Sequence, residues 1–371
     1  TLYVEGEVGD SVLFKTETGV TWAEDTSYVN ASYKKFVSTG AAATAYVYVH
    51  NNVSTDVLRG NPAVAETLSA DNDLIYGVTL TNGNSSMVDY ADQLGAVRVN
   101  LSANRYNGVA SHTAVLTASG TTVVDTLAEE GSTGLSTIEW VKTGAGDDWL
   151  IGSSVANRLE GGIGNDWLQG GQGNDTLVGG IGNDTADFSD ATAGVTVVLN
   201  GDAQGTATSS DTGSDLLYSI ENVLGSSYAD NIKANDSNAN WFDGGAGADT
   251  ILAGAGNDVV VFDAQDTSVD GGAGTDTLWI RDATVNLASA SATNWTGFEV
   301  LDMRGSNGTA LTLDLAATVH HMAASGSTVT VLADAQDVID LAVMSSSAGA
   351  WSAGADVVSN GSIYHTWTSS G

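Results

Sequence analysis

Between Thr143 and Asp187 the chain repeats itself every nine residues. The five units read TGAGDDWLI, GSSVANRLE, GGIGNDWLQ, GGQGNDTLV and GGIGNDTAD. Each unit has a glycine-rich half with an acidic or amide side chain at its sixth position: Asp148, Asn157, Asp166, Asp175 and Asp184. A short half follows, with one apolar residue at the eighth: Leu150, Leu159, Leu168, Leu177 and Ala186. A three-residue strand that buries one side chain cannot stabilise itself, so such units must stack their apolar positions into one continuous core. A flexible glycine-rich linker would not keep a leucine in phase with an aspartate.

The two halves imply different chemistry. Glycine tolerates positive φ, so the chain can turn sharply and aim its carbonyl oxygens inward. Carbonyls gathered beside a carboxylate that recurs every nine residues form a set of hard oxygen ligands. Calcium takes about six to eight of these with loose geometry, whereas magnesium demands strict octahedral coordination and keeps its waters. Calcium is therefore the expected cofactor.

A second block has the same phase. GSSYADNIK (225 to 233) is followed, after one extra residue, by NDSNANWFD, GGAGADTIL, AGAGNDVVV, FDAQDTSVD and GGAGTDTLW, ending at Trp279. Its sixth positions are Asp230, Asn240, Asp249, Asp258, Thr267 and Asp276, and its apolar positions are Ile232, Phe242, Ile251, Val260, Val269 and Leu278. Thr267 has no carboxylate, so metal binding at that turn is expected to be weak or absent while the stack continues. The candidate ligands are thus Asp148, Asn157, Asp166, Asp175, Asp184, Asp230, Asn240, Asp249, Asp258 and Asp276.

GGIGNDWLQ, GGQGNDTLV and GGIGNDTAD resemble the GGxGxDxUx nonapeptides of RTX (repeats-in-toxin) proteins. The resemblance implies a right-handed parallel β-roll with two nonapeptides per coil and calcium held between successive turns on each side. It further implies export from a Gram-negative bacterium by a type I system, with folding driven by extracellular calcium.

The remaining composition agrees with that reading. Lys and Arg number 11 against 45 Asp and Glu, a formal charge of -34 that repels nucleic acid and anionic lipid and favours cations. There is no cysteine, which suits an exported chain stapled by metal. No stretch reaches the roughly eighteen apolar residues of a membrane helix. The first residues lack the basic, apolar, small-residue order of a signal peptide.

Outside the blocks the alternation of apolar and polar residues predicts strands. The expected organisation is a small β-module over 1–53, a β-rich insert over 54–142 and the first block over 143–187. Intervening strands over 188–224 lead to the second block over 225–279 and calcium-free strands continuing the roll over 280–328. A partial second copy of the N-terminal module closes the chain over 329–371. The fold class is therefore all-β, a roll in two calcium-binding blocks flanked and interrupted by small β-modules. DVLRGNPAVAETL, with the only proline, suggests a degenerate turn followed by a short helical or irregular piece. VDYADQLGAVRVNLSA and ADFSDATAGVTVVLNG recur as lead-ins to the two blocks, and IRDATVNLAS to FEVLDMRGSNGTALTL reads as an eroded third version. RTX proteins commonly carry such segments between their blocks. The terminal copies align Asp10 with Asp337, Trp22 with Trp351 and Tyr33 with Tyr364. The second lacks a counterpart of ATAYVYVHN, so an open strand edge is expected at its end, as in a segment of a longer protein.

Other chemistry fits poorly. None of the five histidines (His50, His112, His320, His321, His365) has HExxH spacing, and His320-His321 reads as a solvated strand end. There is no GxSxG elbow, and the paired carboxylates belong to repeat turns rather than an apolar pocket. Trp149, Trp167, Trp241 and Trp279 could stack on sugars, although packing on neighbouring strands is the simpler role. The expected function is a non-enzymatic, calcium-stiffened segment of a large secreted surface protein, such as an adhesin or surface layer. Its partners would be calcium, neighbouring copies of itself or adjacent modules. The alternative is a module that recognises a cell-surface glycan or peptide.

Overall fold

The computed structural model describes residues 138–281 without a break. It also describes 86–90, 95–104, 109–118, 121–129, 284–286, 295–304, 310–312, 328–332 and 338–340, and the terminal strands within 2–77 and 351–369. Every element among the described residues is a strand, and the repeat blocks pair in parallel. The chain is an all-β protein built on a parallel β-roll. The segment around the lone proline and the pair His320-His321 lie outside the described residues.

The chain forms two compact units. The first comprises Thr1–Ala186 with Thr212–Ser219, the second Asp187–Asp211 with Ile220–Gly371.

Within the first repeat block parallel partners fall 18 residues apart, so one coil consists of two nonapeptides. Trp149–Ile151 pairs with Trp167–Gln169 and that strand with Thr185–Asp187, placing Leu150 beside Leu168 and Leu168 beside Ala186. In the second sheet, Ile138–Lys142, Arg158–Ile163, Thr176–Ile181 and Gly213–Tyr218 align Val141, Leu159, Leu177 and Leu217. These inward positions are at most 1% exposed. Each valine or leucine among them contributes about 1.5–3 kcal/mol of burial, which only a stack of neighbours makes available. The residue before each leucine faces outward. Trp149 and Trp167 are half-buried there, their rings 5.8 Å apart and tilted by 52°, with the Arg98 guanidinium 5.9 Å from the Trp149 ring.

The second unit repeats the plan. Asn231–Ala234, Thr250–Leu252, Ser268–Asp270 and Trp295–Thr296 form one parallel set. Asn222–Leu224, Trp241–Asp243, Val259–Phe262, Thr277–Ile280, Val300–Asp302 and Thr328–Leu332 form the other. Asn231 pairs with Thr250, a step of 19 that absorbs the one extra residue in the sequence.

The recurring lead-in phrases occupy equivalent places. Val97–Asn100 pairs in parallel with the first block and antiparallel with Thr113–Ala118. Thr196–Asn200 pairs in parallel with Asn231–Ala234 and antiparallel with Ala203–Ser209. In each case a hairpin is spliced into the first coil. The terminal segments also share a pairing scheme. Leu2–Glu5 and Thr21–Glu24 both run antiparallel to Tyr33–Thr39, with Glu5 opposite Tyr33 and Trp22 opposite Ser38. Thr328–Leu332 and Trp351–Ala353 both run antiparallel to Ser362–Ser369, with Leu332 opposite Tyr364 and Trp351 opposite Ser369.

Candidate metal centre

The sixth-position carboxylates lie at the turns, one coil above the next, and a hydrogen bond fixes each. The backbone N–H of Asp148 donates to Asp166 Oδ1 and that of Asp166 to Asp184 Oδ1, both at 2.8 Å. On the opposite side the N–H of Asn157 donates to Asp175 Oδ1 at 2.7 Å. In the second unit Asp230 donates to Asp249, Asn240 to Asp258 and Asp258 to Asp276, each at 2.8 Å. Four files of side chains result, two in each unit.

A second file runs beside the first through the fifth position. Asn183 N–H donates to Asn165 Oδ1 at 2.9 Å, Asn165 to Asp147 Oδ1 at 2.8 Å, and Thr275 to Asn257 Oδ1 at 2.8 Å. The Asn-Asp pair of the repeat thus ties adjacent turns in both directions, which explains an asparagine for which a ligand count alone has no use.

Geometry at the paired glycines is equally restrictive. A Cβ on Gly161 would collide with the carboxylate of Asp166 in its own repeat. Gly162 has φ +106°, and a Cβ there would strike the Gly144 carbonyl oxygen one coil earlier. The first glycine therefore makes room for the carboxylate, and the second lets two turns approach at carbonyl distance.

Oδ1 is used in each aspartate, but Oδ2 is a different matter. In Asp148, Asp166, Asp249, Asp258 and Asp276 it is buried and accepts no hydrogen bond, while the residues themselves are at most 2% exposed. An ionised oxygen in that state costs several kcal/mol unless a positive charge meets it. The electrostatics reflect this. Burial pushes the Asp166 carboxyl from 3.8 up to about 7, with Asp148 and Asp184 adding like-charge repulsion. Burial likewise raises Asp148, Asp249, Asp258 and Asp276 to about 6. Among the described residues no three acidic or histidine side chains form a metal cage alone. A cation here would take one or two carboxylates and complete its shell with backbone carbonyls, a donor set that suits calcium.

The structure brings the predicted residues together with two distinctions. At Asp230 both oxygens are already met, Oδ2 by the Ser226 N–H at 2.6 Å and Oδ1 by the Ser226 hydroxyl at 2.8 Å. Asn157 Nδ2 donates to the carbonyls of Ile138 (3.2 Å) and Glu139 (3.4 Å), and Asn240 Nδ2 donates to Glu221 (2.7 Å). At these two steps an amide meets the carbonyls of the preceding turn.

Four further residues sit at sixth-position places that sequence reading passed over. The N–H of Asp175 donates to Asp215 Oδ1 at 2.8 Å, and Asp215 is buried with its carboxyl raised by burial to about 7. SDTGSDLLY (210 to 218) is therefore a nonapeptide, displaced from its block by a hairpin and lacking the glycine pair. NWTGFEVLD (294 to 302) is another, in which Glu299 Oε2 accepts from the N–H of Asp276 at 2.9 Å. A Gly at the fourth position, an acid at the sixth and a Leu at the eighth were the available signal. Val97 and Val195 hold the place at the opposite end, their N–H groups donating to Asp148 and Asp230 at 2.7 Å. They close the files with an apolar side chain.

The family model for the RTX calcium-binding nonapeptide repeat (four copies) matches residues 133–154, 151–186, 224–260 and 235–278. No curated protein matches the chain. The matched residues carry the stacked files of carboxylates and begin upstream of Thr143, taking in the Glu139 turn. The two blocks, over residues 133–186 and 224–278, are therefore RTX calcium-binding nonapeptide repeats.

Proposed function

We propose that Asp148, Asp166, Asp175, Asp184, Asp230, Asp249, Asp258 and Asp276 hold calcium between successive turns, with Asp215 and Glu299 extending two of the files. Asn157 and Asn240 serve as hydrogen-bonded links at the first step of their files. The observation that carries this reading is the buried Oδ2 of Asp148, Asp166, Asp258 and Asp276, which accepts no hydrogen bond. With calcium in place the roll becomes a rigid spacer in a large protein exported by a type I system to the surface of a Gram-negative bacterium. Without calcium, repulsion between the carboxylates and the entropy of the glycine-rich turns oppose order.

The recurrence of one strand register at both ends supports a tandem-module architecture, the kind of build an adhesin or surface layer uses. Far-ultraviolet circular dichroism of the chain with and without excess chelator tests the central claim. Loss of the strand spectrum on chelation and its return with calcium is expected; an unchanged spectrum overturns it. Sedimentation velocity in calcium tests association between copies, and a purely monomeric chain at high concentration removes the lattice reading.

A further inference from the structure

A tight turn joins Thr196–Asn200 to Ala203–Ser209, with Asn200 opposite Ala203. It opens on Gly201, whose φ of +61° side chains rarely adopt. Asn200 is thus followed by a residue with no side chain to hinder its backbone nitrogen. Four more asparagines precede glycine, Asn82, Asn107, Asn307 and Asn360, and lie outside the described residues. At Asn200 the second unit ties down both groups of the pair. Asn200 Nδ2 donates to the Gln204 carbonyl at 2.8 Å, and its Oδ1 accepts from Asn235 Nδ2 at 3.0 Å. The Gly201 N–H donates to Asp236 Oδ2 at 2.9 Å, and Asp236 is steadied by accepting the Asn238 N–H on Oδ1 at 2.9 Å. Asn235 and Asp236 follow directly on Asn231–Ala234, the strand that carries the hairpin, so these bonds exist only while the first coil of that block is folded.

An asparagine followed by glycine can react with its own backbone. The glycine nitrogen, on losing its proton, attacks the asparagine Cγ. A C–N bond forms as the Cγ–Nδ2 bond breaks, ammonia leaves, and a cyclic imide results. Water then opens the ring to aspartate or isoaspartate, so amide and water give carboxylate and ammonia. We propose that Asn200 is a site of spontaneous deamidation that the folded hairpin keeps silent and that loss of calcium switches on. In the folded chain Asp236 fills the direction along which the Gly201 nitrogen would attack, and its negative charge opposes loss of the proton. Two further bonds hold the Asn200 amide across the hairpin. In the open chain all three restraints are gone. The product carboxylate cannot donate to the Gln204 carbonyl, and isoaspartate lengthens the backbone at the turn, so the change is one-way and opposes refolding of the coil. The link to calcium rests on the reading of the repeat carboxylates as its ligands.

The test incubates the full-length chain at neutral pH in saturating calcium, in excess chelator and in urea, and follows Asn200 by peptide mapping, which separates acid from amide by mass. Conversion is expected to be at least about tenfold slower in calcium than in urea, because attack occurs only in the open hairpin, and to approach the urea rate in chelator. Equal rates in calcium and in urea overturn the proposal and leave the calcium files standing. Slow conversion in calcium and chelator alike, with fast conversion in urea, overturns the link to calcium together with the reading of the files. D236A removes the acceptor of the Gly201 N–H and is expected to speed conversion in calcium about threefold or more. Should D236A not fold in calcium, N235A, which removes the donor to Asn200 Oδ1, decides by the same measure. An unchanged rate in the folded variant overturns the protection assigned to these bonds.

Discussion

Removing calcium should reverse the ordinary pH dependence of this fold between pH 5 and pH 7.5. In the metal-free chain Asp166 is raised from 3.8 to about 7, and Asp258 and Asp276 to about 6, chiefly by burial. A carboxyl with a higher pKa folded than unfolded binds protons preferentially in the folded state. Stability is therefore lost as pH rises from the unfolded value through the folded one. At about 1.4 kcal/mol per unit, going from pH 5 to 7.5 costs on the order of 1 kcal/mol at Asp258 and on the order of 2–3 kcal/mol at Asp166. Asp148, Asp215 and Asp249 shift the same way, so the total reaches several kcal/mol even after coupling within a file is allowed for. Urea unfolding of metal-stripped protein, followed by circular dichroism at fixed ionic strength, measures it. The midpoint should be higher at pH 5 than at pH 7.5. Saturating calcium should invert that order, because protons compete with the ion for the same oxygens. A metal-free chain equally or more stable at pH 7.5 would refute the argument, since the carboxylates would then have to be comfortable ionised without a cation.

Leu168→Ala, at a position with no exposure, should cost about 2–5 kcal/mol in calcium, read as a lowered urea midpoint with calcium count unchanged. Ile181→Ser, at a side chain 70% exposed, should move the same midpoint by less than about 0.5 kcal/mol. Asp215→Asn and Glu299→Gln should each reduce bound calcium in a titration; full stoichiometry in both would confine the metal to the regular repeats. Asn157→Asp turns a donor to the Ile138 and Glu139 carbonyls into an anion facing them, so it should add one calcium ion and destabilise the metal-free chain. An unchanged ion count would show that the amide step is already a metal site.

The regular coils were legible because one rule operates at two positions of every nonapeptide. A buried leucine at the eighth position and a buried aspartate at the sixth are both consequences of stacking, so the sequence period and the structural period coincide, as at Leu168 and Asp166. What was not legible depends on pairing between residues far apart in the chain. Asp215 is joined to Asp175 across 40 residues because a hairpin intervenes, and no window of nine can see that contact. Val97 and Val195 hold sixth positions, but an apolar residue there carries no ligand signature; only their N–H bonds to Asp148 and Asp230 place them. The turn at Thr267 departs from the repeat through contacts that are local instead. Reading in strict nines assigns the turn to Thr267 and leaves Asp266 as an ordinary fifth-position residue, whereas its Oδ2 accepts the N–H of Asp263 within the same turn. Stacking itself continues through that turn, where the Thr267 N–H and hydroxyl both donate to the Asp249 carbonyl and Ile251 still lies beside Val269. The turn that interrupts a file is therefore shaped by its own local hydrogen bonds, as at Asp263 and Asp266, and a period of nine carries no record of them.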